Sequence, residues 1–317
     1  MTDKKLKLFT GSSHPHLAAA VSKGLGVPLC PMDIRRFASN EIYAKPVETV
    51  RNCEVYLLQT GTFNVNEDMM ELFIMIDAFK RSFAHKVHVV MPYFPYARQD
   101  RVATPREPIT AKLMANLLSK AGADHVITFT LHSEQEQGFF DFPVDNLNAR
   151  ALFTEYFKKK KLKDVTIVAP DVGSAKEAQR LAKLLGAELA ILNKIRSGHN
   201  VSEVTHLVGD VKGRTCILYD DLVDTAGSVA NGIKVIRKNG ANKDVYLAAT
   251  HAVLSRDATA KLKAAHFKEI IFTDTIPLSK EKKLPNMKII SVADLLVQVI
   301  KNVHLGRPLS PLINPYS

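Results

Sequence analysis

The chain has 317 residues, 46% of them hydrophobic, which is enough for two α/β domains that each bury a core. Its formal charge of +11 draws anions, yet no stretch combines clustered arginines with interleaved aromatics as nucleic-acid readers do, so nucleic acid is excluded and phosphorylated small molecules fit better. Three cysteines without C-x-x-C spacing argue against a disulfide framework or zinc site, and no apolar run reaches membrane length.

In chain order, Met1 to Lys5 lead straight into an apolar run with no leader-like segment, which predicts a protein of the reducing cytoplasm. Short apolar runs predict buried parallel strands at 5–11, 53–60, 86–94 and 125–131, then at 164–171, 188–194, 215–221, 244–251, 269–275 and 287–292. Amphipathic helices fit between them. Met69, Leu72, Phe73, Ile76 and Phe79 mark one core face; Leu113, Met114, Leu117 and Leu118 mark a second; Leu181, Leu184 and Leu185 mark a third that stops at Gly186. The lysines at 158–161 read as a solvated helix end. This alternation predicts two doubly wound, mainly parallel sheets, one in residues 1–149 and one in 150–317. Ligands are expected at the carboxyl ends of the strands and in the crevice between the domains. The strand end at Val89–Tyr93 leads to Arg98–Arg101 much as Ile217–Tyr219 leads to Asp220 and Asp221, a weak sign of internal duplication.

The segment from Cys216 to Ser228 is an apolar strand that runs into two carboxylates, Asp220 and Asp221, and then the small-residue turn Asp224-Thr225-Ala226-Gly227-Ser228 at a helix start. Paired carboxylates can accept bonds from vicinal sugar hydroxyls or hold a hydrated Mg²⁺, and backbone N–H groups at a helix start suit a phosphate. A plain acidic turn capped by Asp224 and Ser228 is the structural alternative. No G-x-x-x-x-G-K-[ST] and no G-x-G-x-x-G is present, since Gly24-Leu25-Gly26 lacks a third glycine, so a nucleotide must be held otherwise. Arg98, Arg101, Arg106 and Lys112, beside a helix start at Thr110, supply the cations that polyphosphate needs.

Tyr96-Ala97-Arg98-Gln99-Asp100-Arg101, Arg106-Glu107-Pro108-Ile109-Thr110-Ala111-Lys112, Gln137-Gly138-Phe139-Phe140-Asp141 and Val144-Asp145-Asn146-Leu147 resemble the class I ribose-phosphate pyrophosphokinases. Gly11-Ser12-Ser13, Thr250–Ser255 and the 217–228 loop resemble the same family, nearly end to end. The resemblance implies sheets of the type I phosphoribosyltransferase kind and Mg²⁺-dependent transfer of the diphosphoryl group of ATP to the C1 hydroxyl of ribose 5-phosphate. By that resemblance, Arg98, Gln99, Asp100 and Arg101 hold ATP with Ser39, Asn40 and Glu41, and Phe37 stacks on adenine across a subunit boundary. His132 and Asp171 match metal-associated positions. Asp220 and Asp221 bind ribose, and Asp224, Thr225, Ala226, Gly227 and Ser228 its 5-phosphate. Lys194 and Arg196 match a catalytic pair on a mobile loop whose Ser197–Asn200 portion is composed for flexibility. A homo-oligomer, a hexamer in the family, follows from the same likeness.

The chain also departs from the family pattern. Thr130-Leu131-His132 stands where Asp-Leu-His is usual, which removes a carboxylate near the metal, and Val172–Ala175 after Asp171 is a milder change. Arg51, Arg106 and Ser310 fit the lining of the family's regulatory phosphate pocket, whereas Glu134 and Pro308 stand where serines are common. A carboxylate there repels a phosphate dianion, so weaker phosphate activation is expected. A non-catalytic regulatory subunit is the alternative that Thr130 opens. A phosphoribosyltransferase would share only the 217–228 loop and would leave residues 96–112 unexplained.

Overall fold

The computed structural model describes residues 4–195 and 204–313. The first sheet is built from β1 (Leu6–Thr10), β4 (Glu54–Leu58), β5 (Lys86–Met91), β6 (His125–Phe129) and β7 (Val144–Leu147), all parallel and in that spatial order. Its strands are apolar on both sides because both faces are covered. Val87, Val89 and Met91 face α2 (Val65–Arg81) and α3 (Thr110–Ala121), while Leu8, Tyr56, Leu58, Val90 and Ile127 face α1 (Pro15–Leu25). Pro15 in the first turn and left-handed Gly26 after the last turn bound α1, and His14 Nδ1 accepts from the Leu17 N–H at 3.3 Å.

The order of these strands never reverses, so right-handed crossovers put α2 and α3 on one face only. The other face is completed from the far end of the chain. α8 (Ala293–His304) packs beside α1 with Leu296, Val299 and Ile300 fully buried, and α9 (Ser310–Ile313) follows it. Gly24 belongs to this packing and not to a nucleotide fingerprint, since a Cβ there would meet Val297 Cγ2 at 2.7 Å.

The second sheet has the order β10 (Val204–Val208), β9 (Glu188–Ile195), β8 (Val165–Ala169), β11 (Thr215–Val223), β12 (Val245–Ala252), β13 (Glu269–Thr273), β14 (Met287–Ile290), parallel except for β10 against β9. Here the order does reverse, between β8 and β11. Side chains of β11 alternate accordingly. Ile217 and Tyr219 face α4 (Arg150–Lys160) and α5 (Ala175–Leu185), whereas Cys216 and Leu218 face α6 (Gly227–Lys238) and α7 (Ala258–Ala265). Burying one such leucine contributes roughly 1.5–3 kcal/mol.

The ten predicted strands are present; four further strands were not expected. β2 (Met32–Arg36) and β3 (Ile42–Pro46) form a separate antiparallel hairpin whose Asp33, Arg35, Arg36 and Lys45 break any apolar run. β7 has four residues, and β10 is a five-residue edge. One helical face is corrected. On α3 the buried stripe is Ala111, Ala115 and Leu118, while Leu113 and Leu117 are exposed, because small residues set the close approach of this helix to the sheet. Among the described residues no helix is long and apolar enough to cross a membrane.

Candidate active site

A cleft of about 1120 Å³ lies where the carboxyl ends of the two sheets meet. In the second sheet this is the point between β8 and β11 where strand order reverses, the place at which adjacent loops part and leave a crevice. The cleft is lined by Arg98, Gln99, Asp100 and Arg101 after β5, Thr130 to Ser133 after β6, Asp171 to Ser174 after β8, and Asp220 to Val229 from β11 into α6.

The two carboxylates at the end of β11 are displaced in opposite directions from the usual carboxylate range. Asp221 N–H donates to Asp220 Oδ1 at 3.0 Å, Leu222 N–H donates to Asp221 Oδ1 at 2.8 Å, and His132 Nδ1 lies 2.7 Å from Asp221 Oδ2. Burial, then the Asp221 charge, push the Asp220 carboxyl well above the usual carboxylate range. Asp221 goes the other way: burial opposes its charge, but the hydrogen bond to His132 keeps it low. That bond in turn raises the imidazole above its ordinary value against the effect of burial. The pair places its oxygens side by side in one cleft, where they can accept from vicinal sugar hydroxyls.

Beyond the pair, Asp224 does not cap the helix. Arg98 Nη1 donates to its Oδ2 at 2.6 Å and Ser255 Oγ donates to its Oδ1, so this aspartate joins the two halves. The cap residue of α6 is Ala226, in the left-handed region with φ 59° and without a side-chain cap bond. The first N–H groups of a helix have no intrahelical acceptor, so those of this turn suit an anion. A Cβ on Gly227 would touch only Thr225 Oγ1, at 3.8 Å. Packing within the protein therefore does not demand this glycine, whereas a ligand drawn close to the backbone would.

On the opposite wall, Gln99 is fixed by Thr110 Oγ1, which donates to its Oε1 at 2.5 Å at the start of α3. Thr130 has φ 43°, a strained conformation for a β-branched residue, and its Oγ1 accepts from Thr250 Oγ1 at 3.3 Å. The strand end is gripped by fully buried His251. Its Nε2 lies 3.1 Å from Phe129 O and 3.3 Å from Thr130 O, and its Nδ1 is 2.9 Å from Thr275 Oγ1. Two groups here escaped the sequence reasoning. Ser255 holds Asp224, and fully buried Glu136 accepts from Ser133 N–H at 2.7 Å while its Oε2 has no partner. Burial pushes the Glu136 carboxyl up to about 7. The Ser133-x-x-Glu136 capping box was the available signal.

Other predicted residues lie elsewhere. Phe37, Ser39, Asn40 and Glu41 form the exposed tip of the β2–β3 hairpin, with Asn40 at φ 70°, and do not line this cleft. Arg51 sits before β4 with its guanidinium 5.0 Å from the centre of the Phe83 ring, Arg106 lies in the loop ahead of α3, and Ser310 opens α9, so the three are dispersed. Gly11-Ser12-Ser13 is a packing knot. Ser12 Oγ donates to Glu71 Oε2 at 2.9 Å, Ser13 Oγ donates to Gln59 Oε1 at 2.7 Å, and a Cβ on Gly11 would clash at 2.4 Å. The backbone of Lys194 lies in β9, paired with Thr205, while Arg196 and residues 197–200 lie outside the described residues. Contrary to the expectation from sequence, Glu134 is not a lone repelling carboxylate. Lys176 Nζ at 2.5 Å and Arg180 Nη1 at 2.6 Å compensate it and lower it to about 2.

The donor set fits Mg²⁺. Asp171, Asp220 and Asp221 supply hard oxygens in one cleft, and a divalent cation would offset the burial, and after it the Asp221 charge, that raise Asp220. Among the described residues no three His, Cys, Asp or Glu side chains converge to hold an ion unaided, so substrate oxygens and water would complete its shell.

A family model for the N-terminal domain of ribose phosphate pyrophosphokinase matches residues 6–122, and one for a phosphoribosyl synthetase-associated domain matches residues 201–314. The chain is 46% identical over 302 residues to the ribose-phosphate pyrophosphokinase of Synechococcus elongatus, covering 95% of this chain and 91% of that one. It is 45% identical to that of Caldanaerobacter subterraneus, covering 97% of each. A crystal structure of phosphoribosylpyrophosphate synthetase from Mycobacterium smegmatis superimposes with a TM-score of 0.91 at 42% identity, over 96% of this chain and all of that one. The chain therefore belongs to the ribose-phosphate pyrophosphokinase family.

Proposed function

We infer that this chain transfers the β,γ-diphosphoryl group of ATP to the C1 hydroxyl of ribose 5-phosphate, forming 5-phosphoribosyl 1-pyrophosphate and AMP. The Arg98–Asp224 ion pair carries the reading: a cationic segment from one half and an acidic, glycine-containing turn from the other share one cleft. The C1 oxygen attacks the β phosphorus, the bond to the α-phosphate bridging oxygen breaks, and the hydroxyl proton leaves to solvent.

Each residue has a role in that transfer. Asp220 and Asp221 hold the ribose hydroxyls, and the 225–228 backbone with Asp224, Thr225, Ala226, Gly227 and Ser228 seats the 5-phosphate. Arg98, Gln99, Asp100 and Arg101 position the triphosphate, the arginines by charge-assisted bonds. Phe37, Ser39, Asn40 and Glu41 complete a neighbouring subunit's adenine site, which explains an exposed aromatic far from its own cleft and requires a homo-oligomer, a hexamer by family likeness. Lys194 and Arg196 close over the diphosphoryl group as charge builds on its oxygens. Mg²⁺, associated with His132 and Asp171, supplies charge neutralisation on the triphosphate when bound. For metal contact His132 must be neutral, which the hydrogen bond to Asp221 opposes at low pH. A phosphate regulator would draw on Arg51, Arg106 and Ser310 from assembled subunits, and the enzyme would work in the cytoplasm.

The purified chain, given ATP, Mg²⁺ and ribose 5-phosphate, should form AMP in proportion to the sugar supplied. AMP formation that appears only after a second, related subunit is added would overturn the reading in favour of a regulatory subunit.

A further inference from the structure

Glu134 follows directly on the segment that presents His132, in the short helical turn Glu134–Phe139, and belongs to the first half. Its two oxygens are divided between Lys176 and Arg180 of α5, the helix that begins just after the Asp171 loop of the second half. Arg180 also pairs with Glu177, whose other oxygen accepts from Arg150 Nη1 at 2.6 Å, at the start of the helix that opens the second half. A chain of alternating charges therefore spans the cleft mouth and ends on the connection between the halves. Glu134, Lys176 and Arg180 are partly exposed, the Glu134 side chain at 49%, so their pairing adds little to global stability, whereas Arg150 at the far end is buried.

We propose that Glu134 is a positioning residue: paired with Lys176 and Arg180, it straps the His132 loop to the Asp171 loop and so sets the width of the cleft before substrates enter. The strap acts through the loops it joins and touches neither substrate. It lowers the share of open, binding-incompetent molecules, which appears in apparent affinity and not in the chemical step.

The test is Glu134→Gln, with Lys176→Gln/Arg180→Gln cutting the same strap from the other side and Glu155→Gln, which removes an ion pair with Lys159 on the outer face of α4, as control. Hydrogen exchange should quicken by about fivefold in residues 171–182 as well as in 133–139, although only the latter carry the substitution. In steady-state assays KM for ATP and ribose 5-phosphate should rise by about three- to tenfold with kcat within about twofold of the parent, and combining both sets should add nothing further. The kinetic arm rests on the diphosphoryl-transfer reading, whereas the exchange arm does not. Faster exchange confined to 133–139, effects equal to those of Glu155→Gln, or a fall in kcat at unchanged KM would each overturn the strap.

Discussion

The two halves use the same materials, parallel strands under helices, but arrive at different site chemistry. β5 and β11 are each the central strand of their sheet, and each delivers its loop to the common cleft. The loop after β5 is cationic and long. The loop after β11 is acidic, short, and runs at once into a helix start. The second sheet reverses its strand order beside β11 and so makes its own crevice, whereas the first does not and even receives α8 to cover one face. A sheet with its own crevice suits the compact sugar phosphate; a sheet without one contributes reach, as befits an extended triphosphate.

The largest expected effect is at the end of β9, in the second half. Lys194→Ala should cut kcat by about a thousandfold while leaving substrate binding largely intact, as read by steady-state rates with equilibrium binding. An equal loss of binding would deny it a transition-state role. Next, Arg98→Ala and Asp224→Ala should each lower kcat/KM by roughly a hundredfold, and the double variant should lose much less than the product, because the two meet at 2.6 Å. Strict additivity would mean that the two walls act separately.

A smaller effect is expected at Thr130. Asp tolerates left-handed φ better than a β-branched residue, and the strained backbone costs on the order of 1–3 kcal/mol. Thr130→Asp should hold or raise the melting temperature and lower the Mg²⁺ concentration for half-maximal rate by about three- to tenfold. An unchanged Mg²⁺ dependence would place the ion away from this strand end.

A further effect concerns pH, acts on stability and not on rate, and sharpens the contrast between buried and cleft histidines. Burial lowers His88 to about 3 and His251 to about 4, below the ordinary 6.5, so the unfolded chain binds protons that the fold refuses. Their contribution is complete above pH 6.5 and is lost as pH falls, at about 1.4 kcal/mol per pH unit for each. His132, raised by Asp221, has the opposite sign: its contribution is complete below 6.5 and fades as pH rises through its folded value. The buried carboxyls Glu136 and Asp220, held above their usual range, also oppose the buried histidines over the same window, so the difference between proteins isolates the histidine. From pH 6.5 to 5 the urea-derived stability of His88→Gln should gain on the parent's by about 1.4 kcal/mol per pH unit, and a constant difference would deny His88 this role.

Much of this was legible in sequence because strands buried on both faces are continuous apolar runs, and because the sugar-side turn is one short contiguous segment. The β2–β3 hairpin was not legible, since charged residues interrupt both of its strands. Nor could any local pattern assign α8 to the first sheet, because an amphipathic face does not name its partner. The cleft's joining contacts span 126 residues for Arg98–Asp224 and 89 for His132–Asp221, distances at which spacing carries no signal. Glu134 shows the cost: its residue type suggested repulsion, and only the fold revealed the two cations that meet it.

The central claim is that both substrates meet in the one cleft between the halves. Crystals soaked with a non-hydrolysable ATP analogue and ribose 5-phosphate test it most directly. The account predicts the sugar phosphate on the 224–228 turn, with its C1 hydroxyl facing the β phosphorus of a triphosphate held by Arg98. Occupancy of two unconnected cavities would contradict it.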